Sequence, residues 1–217
     1  MHLKIKICCI NSIAEANTAL RYGASAIGLV GRMPSGPGPI EDELIKQIAV
    51  TIPPPIATFL LTCETAAEQI ISHHKRTYTN TIQLVDELLV KDYAIIKVAI
   101  PAIKLVQVIH VIDESSVEKA IKVSEHVDAI LLDSGNPKLA IKELGGTGRV
   151  HDWKLSRKIK ESIRIPVFLA GGLNAKNVKQ AIDEVEPYGV DVCSGVRTNG
   201  QLDENKLKAF VDAIIIL

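Results

Sequence analysis

The feature of this sequence that most limits its fold is an alternation. Short apolar, β-branched runs take turns with helix-like segments along the whole chain. Strand-like runs lie at 3–9, 25–30, 55–61, 81–85, 103–111, 128–133, 166–172 and 189–195. Apolar residues at helical spacing mark 13–23, 41–50, 64–76, 87–100, 114–125, 153–163, 175–185 and 204–216. Gly23 suits the end of the first helix. The second half of 87–100 also reads as a strand. Alternating strands and helices imply parallel βαβ connections. Eight such units within 217 residues match the arithmetic of an α/β fold, the (β/α)8 TIM barrel. An open doubly wound sheet is the competing arrangement. No linker, low-complexity stretch or charge block divides the chain, so a single domain over 1–217 is expected.

Bulk composition narrows the function. The chain is 47% hydrophobic and only 4% aromatic, so Ile, Val, Leu and Ala must fill the core. Acids and bases number 25 each, a balance that favours neither nucleic acid nor an acidic membrane as partner. No apolar run approaches the roughly 20 residues of a membrane span, and no signal peptide is visible. The four cysteines show neither CxxC spacing nor a His pair at zinc-finger distance, so no structural metal is expected. A reducing cytoplasmic setting with free thiols follows.

In a (β/α)8 barrel the chemistry sits at the C-terminal ends of the strands. Strand 1 ends in KIKICC (4–9). Period-2 alternation puts Lys6 and Cys8 inside the barrel and Cys9 outside, against a helix. A lysine behind Cys8 favours its thiolate; otherwise Cys8 is a small buried hydrophobe. Strand 6 ends in AILLD, whose Asp133 closes a wholly apolar run. Desolvation there would raise its pKa and suit a general acid; a loop-bracing role is the alternative. The loop GGTGR (145–149) allows close backbone approach to a ligand at Gly146 and Gly148. In HDW (151–153), Asp152 reads as a helix N-cap and His151 as loop surface. Strands 7 and 8 end in AGGLN (170–174) and DVCSGVR (191–197). Gly171, Gly172, Ser194 and Gly195 offer the small residues and open amides of a phosphate site. Asp191 is expected to point inward at the substrate. Arg32, in the Gly/Pro-rich loop after strand 2, is a candidate carboxylate binder.

Together these strand ends resemble the phosphoribosylanthranilate isomerase family of tryptophan biosynthesis. The resemblance rests on KICCI (6–10), LLD (131–133), GGTGRVHDW (145–153), AGGLNAKNV (170–178) and DVCSGV (191–196). It implies a barrel without metal or redox cofactor that carries out an intramolecular Amadori rearrangement, an aldose–ketose isomerisation. Carried onto this chain, Cys8 becomes general base and Asp133 general acid. The implied partner is a small phosphorylated sugar, acted on by a monomer or homodimer. The sequence departs from the family pattern at Cys9, where glycine is usual. It departs again at the end of strand 4, where Gln83-Leu84-Val85-Asp86 lacks a histidine, and in the strand-2 loop, where Ser35 to Pro39 replace a basic stretch. These departures leave two alternatives: an isomerase or epimerase of another phosphorylated sugar, or a non-catalytic homologue that binds a phosphoribosyl ligand.

Overall fold

The computed structural model describes residues 3–135, 139, 142 and 148–215. Eight parallel strands close into a barrel in sequence order: β1 (Lys4–Ile7), β2 (Ala26–Val30), β3 (Ala57–Thr62), β4 (Thr81–Leu84), β5 (Lys104–His110), β6 (Ala129–Asp133), β7 (Val167–Leu169) and β8 (Gly189–Val192). Pairing of Lys4 with Gly189 through Ile7 with Val192 joins the last strand to the first. The open-sheet alternative is thereby excluded. The helices that follow are α1 (Ile13–Arg21), α2 (Asp42–Ala49), α3 (Ala67–Thr77), α4 (Val90–Ala99), α5 (Ser115–Ser124), α6 (Trp153–Ser162), α7 (Val178–Val185) and α8 (Glu204–Ile215).

Alternation along each strand divides the core into two layers. Ile5, Ile7, Ile27, Leu29, Leu60, Ile82, Leu84 and Ile130 face outward and pack under the helices. Ala26, Val30, Phe59, Leu61, Val85, Val106, Val108, Leu131 and Phe168 fill the interior, together with both Cys8 and Cys9. Local signals start and stop the helices. Ser12 caps α1 by accepting from the Glu15 amide at 3.1 Å. Asp152 caps α6 by accepting from the Lys154 amide at 2.8 Å, as its position in the sequence suggested. Gly23 follows α1 with φ +83°, a conformation that costs glycine little.

The ambiguous segment at 87–100 is a helix over Val90–Ala99. Its pattern is blurred because Val90, Ile95 and Val98 face solvent while the polar Asp92 is buried. The strand reading overran at β1, β7 and β8, where the chain leaves the sheet at Ile7, Leu169 and Val192. After β8 it makes a short 3₁₀ turn at Ser194–Val196. A ribbon follows, β9 (Arg197–Thr198) against β10 (Gln201–Leu202), that alternation did not announce.

Candidate active site

β1 delivers its thiol by running out. At Cys9 the backbone turns to φ +62°, in the left-handed region. This corrects the outward placement of Cys9: alternation holds only while residues stay extended, and a left-handed residue redirects the side chain. Cys9 therefore lines the same cavity as Cys8. Arg197 sustains the turn. Its guanidinium, buried behind the strand end, donates to the carbonyls of Cys8 and Cys9, to Gly200 O at 2.8 Å and to Glu15 Oε2 at 2.8 Å. Glu15 also accepts from the amides of Asn11 and Leu202. Gly28 on β2 makes the room: a Cβ there would stand 2.7 Å from the Cys8 Sγ and 3.0 Å from the Lys6 Nζ.

The cavity opens at the C-terminal ends of the strands, and the empty space in it, counted out to open solvent, is about 690 Å³. Cys8, Asp133 and Asp191 all line it, as do Gly148, Gly171, Gly172 and Ser194. Gly195 is the close-approach residue behind them, since a Cβ there would meet Leu173 O at 2.0 Å. Gly146 lies outside the described residues. Arg32 is exposed and its side chain is not among the lining groups; its carbonyl accepts from the Cys63 thiol at 3.2 Å. Gln83, which strand-end reasoning did not select, does line the cavity, and its Oε1 is buried without a hydrogen bond.

The electrostatics pull the thiol and the carboxyl in opposite directions. Hydrogen bonding from Cys9 lowers the Cys8 pKa, burial opposes it, and the charge of Lys6 assists. Burial raises the Asp133 pKa, against the Ser134 amide that donates to it at 2.7 Å and the charge of His110. Lys6, fully buried, stands 3.0 Å from Asp191. Burial disfavours its charge, but Asp191 and the two thiols outweigh that and leave its pKa raised. Burial likewise raises Asp191, with Lys6 in opposition. The Lys6 Nζ and Asp191 Oδ1 nevertheless lack a well-aligned hydrogen bond, so both retain capacity toward a bound molecule.

The glycine loops after β7 and β8 line the cavity between the ends of β6 and β1. Gly172 has φ +63°, and a Cβ there would lie 2.7 Å from the Arg149 carbonyl carbon. Its own carbonyl is held by the Asn174 and Asn177 side-chain amides at 3.2 and 3.0 Å. Among the described residues, neither the Gly171 nor the Gly172 amide donates to a protein acceptor. His151 proves to be no surface residue. It is half-buried, with Nε2 2.7 Å from Ser156 Oγ and Nδ1 unpartnered beside Gly171, and desolvation pushes its pKa down to about 4.

Fold and site define a (β/α)8 barrel enzyme whose mouth holds a thiol at the end of β1, a carboxyl at the end of β6 and two glycine loops at the strand ends between them. The chain belongs to the N-(5′-phosphoribosyl)anthranilate isomerase family, whose model matches residues 5–213. It is 38% identical over 211 residues to N-(5′-phosphoribosyl)anthranilate isomerase 2 of Methanosarcina mazei, covering 96% of this chain and 92% of that protein. Identity to the Methanocella arvoryzae N-(5′-phosphoribosyl)anthranilate isomerase is 32%, over 97% of both chains. Among solved structures, the phosphoribosyl anthranilate isomerase of Thermotoga maritima superposes with a TM-score of 0.85 at 30% identity and full coverage of both chains. A phosphoribosyl anthranilate isomerase in complex with reduced 1-(o-carboxyphenylamino)-1-deoxyribulose 5-phosphate superposes with a TM-score of 0.82 at 28% identity, again over both whole chains. No helix among the described residues is long and apolar enough to cross a membrane.

Proposed function

We propose that the chain rearranges N-(5′-phosphoribosyl)anthranilate to 1-(o-carboxyphenylamino)-1-deoxyribulose 5-phosphate, with Asp133 as general acid and Cys8 as general base. The observation that carries this reading is the pairing, across one cavity, of a thiol with lowered pKa and a carboxyl with raised pKa. Asp133 gives its proton to the furanose ring oxygen, and the C1′–O bond opens to a Schiff base. The Cys8 thiolate then removes the C2′ proton, and the electron pair flows toward the nitrogen to give an enolamine. Tautomerisation yields the ketone. Each proton transfer contributes about 10²–10⁴-fold in rate. The amides of Gly171, Gly172, Ser194 and Gly195 would receive the phosphate, while Gly148 and Asp191 would meet the sugar. Arg32, outside the cavity lining, receives no role. Four free thiols suit a reducing cytosol.

Turnover of freshly prepared phosphoribosylanthranilate tests the reading. Wild type should consume it, and Cys8→Ala should lower kcat by about 10²–10⁴-fold with the fold unchanged by circular dichroism. No turnover by wild type, or full activity without Cys8, would reject it. A second reading, action on another phosphorylated sugar, is favoured by Val85 at the strand-4 end and by the Ser35–Pro39 stretch beside the cavity. A panel of phosphorylated aldoses and aminoaldoses separates the two.

A further inference from the structure

Cys8 was expected to be the one chemical thiol of the N-terminal doublet, with Cys9 as packing. The turn at Cys9 brings that residue instead to the end of the neighbouring strand. β1 and β8 are paired side by side, Ile7 against Val192, so Cys9 and Cys193 leave the sheet together. Their sulfurs are 2.7 Å apart, with the Cys193 thiol donating to the Cys9 sulfur. Both line the cavity beside Cys8. Accessibility differs between them: Cys193 is half-buried, whereas Cys9 is buried at 5% exposure. Cys63 is engaged elsewhere, with the Arg32 carbonyl. Among the described residues no group of three or more His, Cys, Asp or Glu is placed to hold a metal ion, which leaves thiol chemistry.

We propose that Cys9 and Cys193 form a modification site that a low-molecular-weight disulfide converts to an intramolecular disulfide, closing the floor of the cavity beside Cys8. The chemistry balances without any further oxidant. The Cys193 thiolate attacks one sulfur of the reagent, the reagent's S–S bond breaks, and one thiolate leaves and takes up the proton Cys193 had lost. Cys9, deprotonated in its turn, attacks the Cys193 sulfur of the mixed disulfide. The Cys9–Cys193 bond forms and the second reagent thiol departs. Two protein thiols have lost two electrons, and the reagent disulfide has gained them. Neighbouring strand ends suit the short reach that a disulfide demands.

The cross-link acts on Cys8 in two ways. It turns the Cys9 thiol beside Cys8, whose hydrogen donates to the Pro37 carbonyl at 3.5 Å, into a disulfide sulfur without a hydrogen, and so removes the neighbour that most lowers the Cys8 pKa. It also ties the strand-1 end to the loop that carries Ser194 and Gly195. This effect on turnover rests on the isomerase reading; the cross-link itself does not.

The test incubates the full chain with glutathione disulfide, blocks remaining thiols by alkylation and reads intact mass and a non-reducing peptide map. The expected product carries two alkyl groups where the untreated chain carries four, and yields one cross-linked peptide pair containing Cys9 and Cys193. Isomerase turnover should fall by about tenfold or more and return with dithiothreitol. Cys193→Ser should give no such species, and its ratio of treated to untreated activity should stay near one. A bond between any other two cysteines, glutathione adducts in place of the cross-link, or no reaction at all overturns the site. A cross-link that leaves turnover unchanged overturns its action on Cys8. Because mass reports the bond and turnover reports the reaction, failure of this site is distinguishable from failure of the isomerase assignment.

Discussion

Two buried ion pairs lie within a few residues of Cys8, and they differ in how fully they are satisfied. Arg197 spends its terminal nitrogens on Glu15 and on the carbonyls of Cys8, Cys9 and Gly200. Lys6 and Asp191 stand 3.0 Å apart inside the barrel, yet the ammonium and the nearer carboxylate oxygen lack an aligned hydrogen bond. A buried charge whose terminal nitrogens are all engaged by protein groups, as in Arg197 where Nε alone is unpartnered, fixes backbone. A buried pair with spare capacity beside a cavity is arranged for something that arrives. Burial alone does not separate the two, since both pairs are nearly inaccessible.

This contrast can be broken by experiment, starting with the largest expected effect. Arg197→Met strands the Glu15 carboxylate and frees the carbonyls of Cys8, Cys9 and Gly200, and should cost about 3–5 kcal/mol of unfolding free energy in urea. A loss confined to turnover, with stability intact, would reverse the comparison. Asp191→Asn should act mainly on catalysis. Removing a charged hydrogen-bond partner for substrate is worth about 1.5–3 kcal/mol, which lowers kcat/KM by roughly ten- to a hundredfold. Unchanged kcat/KM would make Lys6–Asp191 a structural pair like the other.

His151 sharpens the same point with a smaller effect, because one ring nitrogen is satisfied and the other is not. Its pKa in the folded chain is about 4, below the value of about 6.5 in an unfolded one. Above both values His151 is neutral in either state and contributes nothing to pH dependence. As pH falls through 6.5 the unfolded chain takes up the proton first, so stability declines until about pH 4. The loss should be on the order of 2 kcal/mol. Urea midpoints measured across that window should fall in wild type and flatten in His151→Gln.

The positions of Cys8 and Asp133 at the barrel rim were legible because a strand's period is two and because each stands at the end of an apolar run. The glycines of strands 7 and 8 were legible for a related reason, since small residues at a strand end leave backbone amides open. His151 was misread because a histidine beside an N-cap looks like loop surface until the fold buries it. Cys9 was misread because one left-handed residue ends alternation, and a cysteine gives no hint of that conformation. Arg197 and Gly28 gave no signal as single residues. Arg197 finds Glu15 across 182 positions, and Gly28 matters only because the Cys8 sulfur occupies the space a side chain would fill.

By itself, the order of residues determined the alternation of strand and helix, the number of barrel units, the apolar outer faces of the strands and the placement of Cys8 and Asp133 at one end. Those are properties of local period, and a period of two or 3.6 is written into the chain. Closure of the barrel through Ile7 and Val192, the meeting of Cys9 with Cys193, the bracing of the Cys8 and Cys9 carbonyls by Arg197 and the opposed pKa shifts were decided only in the folded molecule. Each depends on distance between residues remote in sequence and on exclusion of water, which no local pattern encodes.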